Sequence, residues 1–347
     1  MEEDSYEVPD DFGGLMVYPY VYNRGDLSTD TDVRRRELIE LVKEMREHAD
    51  MLVYEQRNET AYTHRNYAQP QSPPEGLMAG SRVIRELDLH HPIRVGHANF
   101  NLVSTLRKYN EAVDIVGCNP YVISPPGMRP FIGCRSDGLV VDCPNQTLSA
   151  VGELTTKMMR VAEGRPVWMQ LQALANENWF CVDLTPENRG TTAFEHHRLY
   201  PTRWQMRFMA FNAIIRGATA LAWALYGVRI DISSWKDICD VIGELRRLHD
   251  ILASPVCAAN VQIEYTELGF GDWSGVETLV KLHGKRPWML AVNTQFDPMK
   301  ATFSNLPDGM SGGLTVFEED RQIPVVGGKF TDYFRPYEVH IYSAAVV

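Results

Sequence analysis

A carboxyl group can move a proton in a reaction when a rigid element holds it at an accessible end, and Asn58-Glu59 fits that description. The pair closes a β-branched and aromatic run, MLVYEQRNE, over residues 51–59. Glu59 reads as a general acid/base and Asn58 as a hydrogen-bond partner for a substrate hydroxyl; the plainer alternative is a solvated carboxylate paired with Arg57. Other carboxyls that could act with it are Glu55, Glu177, Glu195 and Asp231, the last two in loops. His97 closes a further run, and Asn119 follows another; both are candidate substrate contacts. Tyr121, Trp179, Trp223 and Tyr226 offer apolar ring faces with polar edges, whereas Trp168, near a strand start, reads as core. Gln172 is either a structural amide or a substrate contact.

The elements that would carry these groups alternate. Strand-like runs at 15–22, 51–59, 92–98, 113–122, 166–174 and 219–226 are separated by helical segments, the pattern of a parallel sheet wound with helices. Residues 32–48 place Leu38, Leu41, Val42 and Met45 on one stripe of a charged helix. Segments 75–87, 101–112 and 147–163 behave similarly, the last with Leu148, Val151, Leu154, Met158 and Val161 on one side. Thr202 is a candidate cap for a helix that Gly217 stops near Arg216. After a helical stretch around 234–252 the texture changes to short strands separated by Gly, Pro, Asp and Asn. That predicts an antiparallel β-domain at 253–347 behind an α/β domain at 1–252.

The net charge of −11 opposes phosphate backbones and argues against a nucleic-acid partner. No apolar run approaches a membrane span, and the acidic start MEED is the reverse of a basic leader, although localisation stays open between secreted and cytoplasmic. The six cysteines show no CxxC, so no structural zinc and no cofactor are expected; Cys134 and Cys143 could bridge one loop. His90-His91 precedes a strand, and His196-His197 sits beside Glu195 in a long loop; neither spacing makes a metal site.

These runs carry a resemblance. MLVYEQRNETAY (51–62) resembles the fourth strand of clan-A-type glycoside hydrolases, where an Asn-Glu pair supplies the general acid/base. VDIVGCNPYVI (113–123) resembles the sixth strand of that family, GRPVWMQLQAL (164–174) the seventh, and residues 200–227 the last helix and strand. The stretch from LAVNTQFDP to VHIYSA resembles the small β-sandwich that often follows such barrels. The resemblance implies a TIM-type (β/α) barrel followed by a small antiparallel β-sandwich, with an oligosaccharide or polysaccharide as substrate. Only six strands are counted where a closed barrel has eight, so either the first two βα units are missing, with the open edges covered by a homo-oligomer or partner chain, or residues 1–13 and a downstream segment complete the closure. The family would also place a Glu at the end of the seventh strand, where this sequence has Gln170 and Gln172. Three readings stay open: a second carboxylate from elsewhere, an inverting or substrate-assisted route, or a catalytically inactive carbohydrate-binding protein.

Overall fold

A strand covered on both faces has no reason to alternate apolar and polar residues; the run IVGC around Val116 is continuously apolar, whereas IRVGH around Val95 carries Arg94 and His97 within it. The computed structural model describes residues 19–61, 69–99, 101–123, 145, 147–175, 200–224, 232–265 and 275–345. In it the runs form a six-stranded sheet in chain order: β1 (Tyr20–Tyr22), β2 (Tyr54–Gln56), β3 (Ile93–His97), β4 (Ile115–Cys118), β5 (Val167–Gln172) and β6 (Ala220–Ala224). Neighbours from β1 to β5 pair in parallel. All six expected runs are strands, each shorter than its apolar stretch. Residues 15–18 and 225–226 of those runs lie outside the described residues.

The described residues divide into two compact units, one within residues 19–119 and 156–170, the other within residues 120–123, 145–155 and 171–345. In the first unit, β2, β3 and β4 are buried at every position. Helix α1 (Thr31–Met45) turns Leu38, Val42 and Met45 inward, three of the four predicted stripe residues, and leaves Leu41 half-buried. Helix α2 (Pro74–Leu87) begins with proline in its first turn, where the missing N–H costs nothing. Its Gly80 faces the Gly25 carbonyl so closely that an added Cβ would lie 2.1 Å from that oxygen. The helix expected over 101–112 divides into α3 (Val103–Leu106) and a 3-10 turn, Arg107–Ala112. Side-chain demands favour the tighter turn: Asn110 donates to the Val161 carbonyl at 2.7 Å and Tyr109 to that of Ser72 at 2.9 Å.

Helix α4 (Ala150–Ala162) carries Val151, Leu154, Met158 and Val161 as predicted, all fully buried. In the second unit, α5 (Arg203–Ile215) starts at Thr202, whose hydroxyl accepts from Gln205 N–H while Gln205 Oε1 accepts from Thr202 N–H, a complete capping box. Arg207 of α5 grips both oxygens of Glu244 on α6 (Ile232–Arg247) and donates to the Val339 carbonyl at 2.7 Å. A short α7 (His249–Leu252) follows.

The remaining chain is antiparallel. One sheet has the order β13-β10-β7 and the other β12-β11-β14-β9-β8. In chain order these are β7 (Gln262–Tyr265), β8 (Val276–His283), β9 (Arg286–Asn293), β10 (Met299–Ser304), β11 (Leu314–Val316), β12 (Gln322–Ile323), β13 (Phe330–Phe334) and β14 (Val339–Ala344). Of these, β12 is only two residues long, below what a sequence pattern can register. Phe303 stacks on Phe330 with centroids 4.6 Å apart, and Met289, Leu314 and Tyr342 of the other sheet join the same core. This is a small β-sandwich.

Candidate functional site

In a parallel βα sheet the side chains at the C-terminal strand ends converge on one face, which is where reactive groups belong. Asn58 and Glu59 leave β2 there, His97 ends β3, and Asn119 follows β4. Glu59 turns the chain with φ 57°, a left-handed conformation that costs a non-glycine residue about 1–3 kcal/mol. Its neighbours hold it in place. The Glu59 N–H donates to the Gly96 carbonyl at 2.7 Å, and Gln71 Nε2 donates to the Glu59 carbonyl at 3.1 Å. Arg57, expected as the alternative ion-pair partner of Glu59, instead donates to Asn23 Oδ1 at 2.5 Å and to Gln71 Oε1 at 3.1 Å.

Asn119 links the two strand ends: its Nδ2 donates to Asn58 Oδ1 at 2.8 Å and reaches Glu59 Oε1 at 3.4 Å. Its backbone N–H donates to the His97 carbonyl at 3.3 Å. Asn58, Glu59, His97 and Asn119 thus lie together at the strand ends. Glu59 is half-buried. His97 takes part through its backbone. Its ring is fully buried, edge-on to Tyr109 at 5.7 Å, with no hydrogen-bond partner on either nitrogen among the described residues. Burial, reinforced by Arg94 and Lys157, pulls its pKa down to about 3, so the ring is neutral.

Glu55, one of the candidates for a second carboxyl, lies beneath this cluster. It is fully buried; one oxygen accepts from Arg94 and the other from the Gly96 N–H at 3.0 Å. Burial pushes its carboxyl up while Arg94 opposes the shift. Arg94, Gly96 and Gly117 pack against this cluster, and the sequence reading passed over them. A signal was present, because glycine inside two adjacent buried strands marks a close approach. A Cβ on Gly117 would stand 2.5 Å from Arg94 Nη2 and 2.6 Å from the Trp168 carbonyl.

The other candidates fall in the second unit or outside the described residues. Gln172 is fully buried and its amide is spent on backbone: Oε1 accepts from Ile123 N–H at 2.8 Å, and Nε2 donates to the carbonyls of Ile123 and Leu174. Tyr121 and Trp223 are half-buried. Glu177, Trp179, Glu195, Tyr226 and Asp231 lie outside the described residues, as do Cys134 and Cys143. Among the described residues no three His, Cys, Asp or Glu side chains cluster as metal ligands, and no helix is long and apolar enough to cross a membrane.

No family model and no curated protein matches the sequence. Solved structures do match. The α-amylase from Geobacillus thermoleovorans, determined with acarbose, is 10% identical with a TM-score of 0.51 over 95% of this chain and 71% of that one. An Anoxybacillus α-amylase is 10% identical, with a TM-score of 0.52 over 96% of this chain and 70% of that one. A glycoside hydrolase family 5 protein from Bacteroides vulgatus is 10% identical, with a TM-score of 0.50 over 89% of this chain and 66% of that one. At such identity the likeness is one of fold: a TIM-type (β/α) barrel followed by a β-sandwich.

Proposed function

We propose that this chain is a glycoside hydrolase that cleaves O-glycosidic bonds in an oligosaccharide or polysaccharide, with Glu59 as general acid/base. The observation that carries the reading is the strand-end cluster of Glu59, Asn58 and Asn119, in which a half-buried residue is fixed in a costly backbone conformation and its carboxyl touched by an amide donor. Asn58 and Asn119 would bind sugar hydroxyls, and Tyr121, Trp179, Trp223 and Tyr226 would supply ring faces for the C–H surfaces of a sugar. In this proposal the barrel ends near residue 252. The acarbose bound by the Geobacillus amylase is an oligosaccharide ligand of the class intended here.

The second carboxyl is assigned to a loop. Gln172 is neutral and its amide is occupied by backbone, and Glu55 is committed to Arg94, which leaves Glu177, Glu195 and Asp231; of these, Glu195 or Asp231 would activate water across a gap of roughly 6.5–9.5 Å in an inverting reaction. The amide at Gln172 also favours a second reading, a carbohydrate-binding protein without turnover. Hydrolysis of a panel of aryl glycosides and polysaccharides by the wild type and Glu59→Gln separates the two. The first reading expects a loss of about 10²–10⁴-fold in Glu59→Gln with sugar affinity retained. Sugar binding with no hydrolysis by the wild type would support the second. A third proposal concerns the edges: among the described residues β1 and β6 have one neighbouring strand each, and a second copy or a partner chain would cover them. Light scattering on the purified chain tests it, a monodisperse monomer being the result that overturns it.

A further inference from the structure

Beneath the proposed acid/base group lies an ion pair that the reaction does not touch. Glu55 is 0% and Arg94 2% exposed, on the adjacent strands β2 and β3. A buried ion pair is a poor source of stability, because removing both charges from water costs about what their attraction returns, and apolar residues of similar volume often do as well. Its surroundings point to another use. The Glu55 oxygen that accepts the Gly96 N–H lies 3.2 Å from the place a Gly96 Cβ would occupy, Asn58 Oδ1 lies 2.9 Å from it and Asn119 Oδ1 3.3 Å. Three side chains therefore converge over one glycine. The neighbouring strand matches it, since Gly96 pairs in register with Gly117, whose missing side chain leaves room for the Arg94 guanidinium. Arg94 also reaches the Trp168 carbonyl at 3.5 Å.

We propose that the Arg94–Glu55 pair is a positioning device for Glu59, acting through Gly96: Glu55 holds the Gly96 N–H, and the Gly96 carbonyl holds the Glu59 N–H. The inference rests on Glu59 being the acid/base group and adds how its left-handed backbone is kept in place. Such a conformation persists only where the surroundings over-determine it, and here the chain is fixed on one side by Gly96 and on the other by Gln71. Glu55 is then a positioning residue rather than a second catalytic carboxyl. The charged and titratable groups around the pair are His97 on β3, kept neutral by burial, and Lys157 on α4, which donates to the Asn99 carbonyl; Arg57 lies in the turn that carries Glu59.

The test replaces the pair by apolar side chains of similar length, Glu55→Met with Arg94→Leu, and reads melting, amide hydrogen exchange at Glu59, and the carbon-13 titration of the Glu59 carboxyl, assigned by its loss in Glu59→Gln. The expected result is a cooperative melt, Glu59 exchange faster by about tenfold or more as its hydrogen-bond partner loosens, and a carboxyl midpoint displaced by on the order of half a pH unit or more. Turnover, where present, should fall about tenfold or more with KM little changed. A folded double variant with wild-type exchange and midpoint at Glu59 would overturn the inference. Glu55→Gln is the second variant. It keeps an acceptor for Gly96 but leaves the Arg94 charge unbalanced, so exchange should stay slow while the Glu59 midpoint moves down; an unmoved midpoint counts against the inference. If neither variant folds, the pair belongs to stability alone and the inference fails. Exchange and titration need no substrate, so they judge the positioning role even if Glu59→Gln retains activity or no sugar is hydrolysed.

Discussion

Glu59 and Gly117 show how single residues trade stability against geometry. At φ 57° Glu59 occupies a region that glycine enters without a Cβ penalty. Glu59→Gly should therefore be more stable than Glu59→Ala by about 1 kcal/mol in urea unfolding, while both lose the carboxyl. Equal midpoints for the two would mean that the backbone relaxes once the side chain is gone. Gly117 has no such freedom to exploit, because a Cβ there meets the Trp168 backbone at 2.6 Å as well as Arg94. Gly117→Ala should cost about 1–3 kcal/mol, measured the same way, with the β3–β4 contact forced apart. The residue types were legible in part. Asn58-Glu59 is a strand-end pair that any reading of the chain finds, whereas the convergence of Glu55, Asn58 and Asn119 on Gly96 joins positions 41, 38 and 23 residues from it, and local spacing carries no record of that.

At the scale of elements, caps and periodicities did most of the specifying. Thr202 was expected to cap α5, and the cap it makes is reciprocal with Gln205. Thr202→Ala should lower stability by about 1 kcal/mol in chemical unfolding, and an unchanged midpoint would show that packing alone holds the helix start. Helix α4 buries Val151, Leu154, Met158 and Val161 of the predicted stripe, with Leu148 falling just before its first turn, because an apolar repeat near 3.6 residues can be buried on one side in only one way. The segment 101–112 was less legible: its helical pattern is real, but Tyr109 and Asn110 bond to carbonyls far along the chain and tighten its second half into a 3-10 turn. A one-dimensional pattern sees the preference and not the distant acceptor.

For the molecule as a whole, burial of two histidines in opposite charge settings gives stability a limb on each side of neutrality. His97 is pulled from its ordinary 6.5 to about 3, so the unfolded chain takes up a proton first and stability falls as pH drops below about 6.5 towards 3. In the sandwich His340 goes the other way. Burial opposes its charge, but Asp332 at 2.9 Å and Glu338 at 3.5 Å hold the proton more firmly and raise its pKa. Its contribution is complete below 6.5 and is lost as pH rises through the raised value. Melting temperature should therefore decline on both sides, His97→Phe flattening the acid limb and His340→Phe the alkaline limb; profiles parallel to the wild type would refute the assignment. Asp332, bonded by His340, Arg321 and Tyr342 against the cost of its own burial, is depressed, and Asp332→Asn should cost on the order of 3 kcal/mol near neutrality. The amino-acid sequence by itself determined the six parallel strands, the helices between them, the antiparallel C-terminal region and the strand-end glutamate, because periodicity, caps and turn residues act between near neighbours. Only the tertiary structure decided that Gln172 spends its amide on backbone, that the His97 ring is buried and neutral, and that Glu55 is bound to Arg94. Burial, charge pairing and the space left by a missing Cβ depend on residues that meet only after the chain has folded.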